Sequence, residues 1–239
     1  MDKYHAQKDD AFTLAEVLIT LMVIGVLAAI TIPSLVQSFE ERAAVSQLRK
    51  TYAALQQAFK LAENENGPVA SSYTTVSEYA KALTKYLPVI KDCGTQALGC
   101  AGKYKLINGD NYVESQEYYN VEGYNTAYKV VLNDGAGVYI FFSPGCNDSA
   151  YGSLYYKNKS CSLLTVGING AKPPNLFGKD MFFFCNTTEG IVPSGGSSTS
   201  YCHIYHNASC KNMSSNGIGC ARWVIERGNM NYLHKDTTW

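Results

Sequence analysis

The 239 residues, 46% apolar and 17% charged, are ample for a membrane helix plus one globular domain of ordinary size. Lys+Arg 20 balance Asp+Glu 20, which excludes the broad basic field of a nucleic-acid-binding protein; no polyanion partner and no specific nucleic acid is inferred. All eight cysteines (Cys93, Cys100, Cys146, Cys161, Cys185, Cys202, Cys210 and Cys220) lie in the later part of the chain, and an even number there points to a disulfide-bonded, extracytoplasmic domain.

Residues 1–11 are polar and too short to fold, and Lys3 and Lys8 are offset by Asp2, Asp9 and Asp10, so loop charge gives little help with orientation. From Phe12 to Val36 the only ionisable side chain is Glu16. At about 1.5 Å per residue a helix of that length spans the roughly 30 Å hydrocarbon layer. A secretory signal peptide has a shorter apolar core, of about 7–15 residues, followed by its small-residue cleavage site. Here the core is longer, and the small residue, Ala11, precedes it.

Within this stretch a carboxylate in hydrocarbon is expensive, so Glu16 should face a partner or a water-filled path, or else sit at the membrane boundary near the positive end of the helix dipole. Gly25 and Ala29 form a small-xxx-small pair that allows close helix packing. Pro33 removes one backbone hydrogen bond and should bend or loosen the helix.

The stretch Ala11-Phe12-Thr13-Leu14-Ala15-Glu16, with its long apolar run and Pro33, resembles the start of type IV pilins and of the pseudopilins of type II secretion systems. That family has a short polar leader, a small residue, Phe, a glutamate at the fifth position of the apolar helix, and a proline near its outer end. Ala11 in place of the commoner Gly, and Asp9-Asp10 where basic residues are usual, are departures. The resemblance implies that a membrane prepilin peptidase/methyltransferase cuts between Ala11 and Phe12 and N-methylates Phe12. It also implies that the Phe12 amine neutralises Glu16 of an adjacent subunit, with Glu16, Gly25 and Pro33 serving assembly. The partners so implied are identical or related pilin subunits, the inner-membrane assembly platform and the membrane itself.

Beyond Pro33 the helix continues, because Val45, Leu48, Tyr52, Leu55, Phe59 and Ala62 recur at steps of three and four, and residues 64–68 (Asn-Glu-Asn-Gly-Pro) supply stop signals. A coiled-coil stripe is the alternative for this half. Thr75-Val76-Ser77-Glu78 has the spacing of a capping box and opens a helix carrying Val76, Tyr79, Ala80, Leu83 and Leu87, which Pro88 closes. From Cys93 onward short apolar or alternating runs separated by Gly, Asn and Asp predict strands. Residues 128–132 and 138–142 read as a hairpin, residues 163–168, 181–185 and 221–225 as further strands, and residues 191–200 as a flexible surface loop.

The predicted fold is therefore α+β: a long N-terminal helix, transmembrane in its first half, packed on a small antiparallel-sheet head, a pilin-like arrangement. Its segments are residues 1–11, a cytoplasmic leader that is removed; 12–36, the transmembrane half; 37–65, the amphipathic half; and 66–239, the disulfide-bonded head.

Three constellations in the head invite chemistry. Asn169, Asn175 and Asp180 in the loop of residues 166–180 could offer oxygen ligands to calcium, as a nearby loop does in some major pseudopilins. Only one carboxylate is present, and a structural turn that positions residues 181–185 is the preferred reading; otherwise no cofactor is expected. Cys202, His203, His206 and Cys210 have zinc-type side chains, but the spacing is not a standard one and a disulfide is preferred. Local pairs Cys93–Cys100 and Cys202–Cys210 are expectations only, since eight cysteines allow about 105 pairings. A Cys–His nucleophile lacks a local signature, and the Gly-x-Ser-x-Gly elbow, phosphate loop and His-Glu-x-x-His helix are absent, so the head is not read as an enzyme.

The tyrosines at 118, 119, 124, 128, 151, 155 and 156 suit half-buried strands or a contact surface. The sequons at Asn147 and Asn186 read as chance triplets. Residues 220–232 resemble the closing strand and turn of pilin-like heads. The reading that follows is a subunit cleaved, N-methylated and polymerised through its helix into a type IV pilus or type II secretion pseudopilus, held first in the inner (cytoplasmic) membrane as a single-pass precursor. The alternative is a monomeric membrane-anchored protein whose extracytoplasmic head binds a ligand or senses a signal.

Overall fold

The computed structural model describes residues 13–96, 100, 104–109, 127–142, 144–146, 160–188, 190–195, 210 and 217–234. In chain order the elements are α1 (Leu14–Asn66), α2 (Val69–Ser72), α3 (Val76–Thr84), β1 (Val89–Gly94), β2 (Tyr128–Leu132), β3 (Gly137–Ile140), β4 (Ser160–Gly167), β5 (Met181–Thr187), β6 (Gly190–Pro193) and α4 (Cys220–Arg227). The six strands form a single antiparallel sheet in the order β1-β2-β3-β4-β5-β6. Contacts divide the chain into Met1–Arg42 and Ala43–Trp239. The described arrangement is α+β and pilin-like, with the later part of the long N-terminal helix, from Val45 to Ala62, packed on a six-stranded antiparallel sheet.

In the larger unit the predicted stripe of α1 is the buried one. Val45, Leu48, Leu55, Phe59 and Ala62 are buried, and Tyr52 stacks on Phe184 of β5 with ring centroids 5.4 Å apart. Their partners alternate along the strands: Val130 and Leu132, Val138 and Ile140, Leu164 and Val166, and Phe182 and Phe184 join the helix side. The intervening residues build a second cluster on the other face, with Tyr139, Phe141, Met181 and Phe183 meeting Tyr104, Phe177 and Ile218. Two buried faces explain why β3 and β5 read as nearly continuous apolar runs. On this second side Lys129 is also buried, its Nζ donating to Ala127 O at 2.9 Å and Thr95 O at 3.2 Å, and burial holds its pKa below the usual lysine range.

Polar bonds fix where α1 lies on the sheet. Gln47 Nε2 donates to Ile168 O at 2.7 Å and Asp134 O at 3.2 Å, reaching two inter-strand turns at once. About two and a half turns further along, Gln56 serves a single residue of β6 twice: Nε2 donates to Ile191 O at 2.8 Å, and Oε1 accepts from Ile191 N at 3.2 Å. Tyr52 OH donates to the same carbonyl at 3.0 Å. Arg49 binds Ile225 O through Nη2 at 2.6 Å and Nε at 3.2 Å, placing a cation at the C-terminal end of α4. Gly228 follows in the left-handed region (φ 68), and a Cβ there would meet the Arg49 guanidinium at 2.9 Å, so two constraints favour glycine.

The capping box of α3 forms as expected, with Glu78 N donating to Thr75 Oγ1 at 3.2 Å and Thr75 N to Glu78 Oε2 at 3.2 Å. The 128–132/138–142 hairpin is β2 and β3, the second strand ending at Ile140. Three expectations are corrected. Residues 221–225 lie in a helix: Cys220, Ala221, Trp223 and Val224 are its buried side, and Arg222 pairs with Glu226 one turn on at 3.2 Å. The start of the 191–200 loop is strand β6, because Ile191 and Val192 pair with Asn186 and Cys185. Cys210 bonds Cys220 rather than Cys202, and Gly217 N donates to Cys210 O at 2.9 Å.

The other described disulfides are Cys93–Cys100, as expected, and Cys146–Cys161; Cys185 is also disulfide-bonded, and no described cysteine is free. Replacing Gln56 by Ala strips Ile191 of its N–H acceptor and one of its carbonyl donors. Gln56→Ala is expected to lower the unfolding free energy by about 1–2 kcal/mol. Lys60→Ala, on the exposed side of α1, should change it by less than about 0.5 kcal/mol. Urea unfolding of the full chain in detergent, followed by tryptophan fluorescence, compares the two.

Candidate functional site

The first half of α1 is where sequence and structure both concentrate exposed apolar surface. Its large apolar side chains, from Leu14 to Phe39, are exposed; Met22 is 71% and Ile30 70% accessible. At about 1.5–3 kcal/mol for each such side chain left in water, this run outweighs a typical net stability of about 5–15 kcal/mol. α1 is the helix among the described residues that is long and apolar enough to cross a membrane.

At its start Thr13 and Glu16 bind each other. Thr13 N and Thr13 Oγ1 each donate to Glu16 Oε2 at 2.8 Å, and Glu16 N donates to Thr13 Oγ1 at 3.3 Å. This reciprocal pattern is a capping box, so Glu16 satisfies orphan backbone groups at the helix start besides carrying a charge. Thr13 is the residue that reading the sequence missed, although Thr-x-x-Glu is the same signal that located α3. Ala11 and Phe12 lie outside the described residues.

Gly25 sits further along, with nothing within 4 Å of where a Cβ would stand. No contact among the described residues therefore requires glycine there. α1 runs through Pro33 without a break in its assignment. Beside it the hydroxyls of Thr31 and Ser34 donate to Leu27 O and Thr31 O, both at 2.9 Å. Glu16 and Pro33 are 17 residues apart on one helix, roughly 25 Å at about 1.5 Å per residue, so they do not form one pocket within a chain.

In the head, the structure does bring Asn169, Asn175 and Asp180 together. Asp180 accepts from Asn169 Nδ2 at 2.9 Å, from Asn175 N at 2.9 Å and from Leu176 N. Burial pushes its carboxyl above the usual carboxylate range, against the pull of those donors. Asn175 takes a left-handed conformation (φ 52), which asparagine tolerates better than most residues, and the chain re-enters the sheet at Met181. Three N–H donors on one carboxylate are the geometry of a turn clasp. The Oδ1 atoms of Asn169 and Asn175 are buried nearby without a described hydrogen-bond partner.

The other candidates separate. Cys202, His203 and His206 lie outside the described residues, and Cys210 is committed to Cys220. Asn186 is fully buried, with its amide donating to Tyr79 OH, so the sequon it starts is not displayed by the folded head. Among the tyrosines singled out, Tyr128 is buried and donates to Asp92 at 2.6 Å; those at 118, 119, 124, 151, 155 and 156 lie outside the described residues.

The clasp can be tested directly. Asp180→Ala leaves three donors without their acceptor and should destabilise the head by about 1–3 kcal/mol. Thermal unfolding should show the same loss with calcium or with a chelator present. A calcium-dependent rise in the parent that disappears in Asp180→Ala would make the loop a cation site instead.

Residues 7–32 match the protein family described as "Prokaryotic N-terminal methylation motif", a family of structural pilins that are typically non-enzymatic. No curated protein and no solved structure matches the chain. The matched segment covers the start of α1, including the Thr13–Glu16 box and Gly25, and stops one residue before Pro33. The chain thus carries the prepilin-type cleavage and methylation segment at its N-terminal end, joined to an α+β head of pilin-like arrangement.

Proposed function

We propose that this chain is a prepilin-like subunit cut between Ala11 and Phe12, N-methylated on Phe12, and polymerised through its N-terminal helix into a type IV pilus or type II secretion pseudopilus. The observation that carries the reading is the coincidence of the methylation motif with a helix whose apolar half is exposed among the described residues. In the precursor, lipid of the inner membrane covers that half, with the head on the extracytoplasmic side. In the polymer, the helices of other subunits replace lipid. The motif implies processing by a prepilin peptidase. Identical or related subunits and an assembly platform in the membrane complete the partners proposed.

Cleavage has a chemical purpose in this scheme. It creates an amine on Phe12 that stays cationic, and a neighbour's Glu16 is the carboxylate available to meet it in a low-dielectric bundle. Removing one partner of such a buried pair costs about 3–5 kcal/mol. The mechanism is polymerisation, with no substrate turned over.

Mass spectrometry of the mature protein should find an amino terminus at Phe12 carrying one methyl group. An intact residue 1–11 segment in assembled material would defeat the proposal.

A second experiment separates the two roles of Glu16. Glu16→Gln keeps the capping-box partner and removes the charge, whereas Glu16→Ala removes both. Both variants should reach the membrane in normal amounts, and both should lose sheared filament. Wild-type yield from Glu16→Gln would show that helix capping, rather than charge pairing, is what assembly requires.

A further inference from the structure

Between residues 13 and 38 the chain has seven polar side chains, and six of them form two matched sets: Thr13, Glu16 and Thr20, then Thr31, Ser34 and Ser38. The second set repeats the first 18 positions later, and Gln37 is the one left over. At about 3.6 residues per turn, 18 residues make five whole turns, or roughly 27 Å along the axis. Each member of the upper set therefore stands over its counterpart in the lower set, on the same side of α1. Every residue from 21 to 30 is apolar or glycine.

The hydrogen bonding of the two sets is unequal. Glu16 Oε2 takes both donors of Thr13, while Oε1 accepts no hydrogen bond among the described residues. A carboxylate oxygen without a donor is costly in lipid or in a packed helical core. In the upper set the hydroxyls of Thr31 and Ser34 turn back to their own backbone, so they are donors that can rotate outward without leaving a helix bond broken. Two parallel copies at equal depth would place Glu16 beside Glu16, matching acceptor with acceptor and charge with like charge. A relative shift of five turns instead sets the lower set of one copy against the upper set of the other, matching an acceptor-only group with hydroxyl donors.

We propose that this polar side of α1 is the contact face between two parallel copies of the chain staggered by 18 residues, about 27 Å, with Glu16 of the upper copy lodged among Thr31, Ser34 and Ser38 of the lower, the Phe12 amine that meets its charge coming from a different neighbouring copy. The proposal rests on the filament reading, because copies held in one bilayer share a depth and only assembly displaces one along the other. It adds to that reading a named face and a register.

Disulfide trapping in sheared filaments tests it. Chains carrying Thr20→Cys and Ser38→Cys together should give a ladder of crosslinked multimers on oxidation, several-fold stronger than Thr20→Cys with Val36→Cys, which puts the second thiol on the opposite side of the helix. The same chains in the membrane fraction, at equal depth, should give no Thr20–Ser38 product. If the first pair blocks assembly, Val17→Cys with Leu35→Cys, also 18 apart on a common side, reads the same stagger. Filaments whose ladders do not exceed the opposite-side control overturn this register and leave the filament reading standing. Absence of filament from the unsubstituted chain overturns both.

Discussion

α1 has to satisfy two different surroundings along one continuous helix that lacks one backbone hydrogen bond, at Pro33. From Val45 to Ala62 it lays a stripe on the sheet, and there the hydrophobic effect in water fixes it. From Leu14 to Phe39 its large apolar side chains are exposed among the described residues, a surface that is favoured where water is absent. In the proposed reading, lipid or other helices complete the first half of α1. Assembly, in this view, is an exchange of one apolar environment for another, and apolar area alone does little to favour it. The polar groups of the segment must then supply the direction, which gives Glu16 and the few hydroxyls around it an influence out of proportion to their number.

The head meets a complementary demand: it must hold the amphipathic half of α1 in one register. Packing of Leu48, Leu55 and Phe59 sets which side faces the sheet, but a smooth apolar interface tolerates sliding. Gln47, Tyr52 and Gln56 remove that freedom by reaching specific backbone groups in the β2–β3 turn, the β4–β5 loop and β6. Each link is worth only about 1 kcal/mol, yet together they tie three separated pieces of chain to a single helix. Disulfides at Cys93–Cys100, Cys146–Cys161 and Cys210–Cys220 tie the head covalently, the last two from within the core cluster that also holds the buried stripe of α1.

Much of this was legible because it is local. The run from Leu14 to Val36, the stripe from Val45 to Ala62, and Thr75-x-x-Glu78 each carry their signal in consecutive residues, and the helices form where those signals stand. The segment at 221–225 misled because five apolar and polar residues fit a strand as well as a helical turn; the Arg222–Glu226 pair and Gly228 decide for helix only once the whole of Cys220–Arg227 is considered. Strand β1, starting just after Pro88, and strand β6, starting at Gly190, escaped notice because each is short and owes its conformation to a neighbour across the sheet. The clasp around Asp180 depends on a carboxylate meeting backbone amides four and five residues earlier, which residue identity alone does not encode. The Thr13–Glu16 box was in plain sight, masked by attention to the charge of Glu16 rather than to its reach.

The double bond of Gln56 to Ile191 bears on how this chain avoids the wrong kind of polymer. Among the described residues β6 is the last strand of the sheet, and an outer strand with free amide and carbonyl groups is a template on which another chain can add a strand. Gln56 imitates that incoming strand with a side chain, accepting from the N–H and donating to the C=O of the same residue. Arg222 N donates to Ser194 O at 2.9 Å just beyond, so helix residues cover both places. A protein proposed to be stored at high local density in a membrane and to join copies through its helix gains from having this border occupied, because amyloid-like growth through the heads would compete with ordered growth through α1.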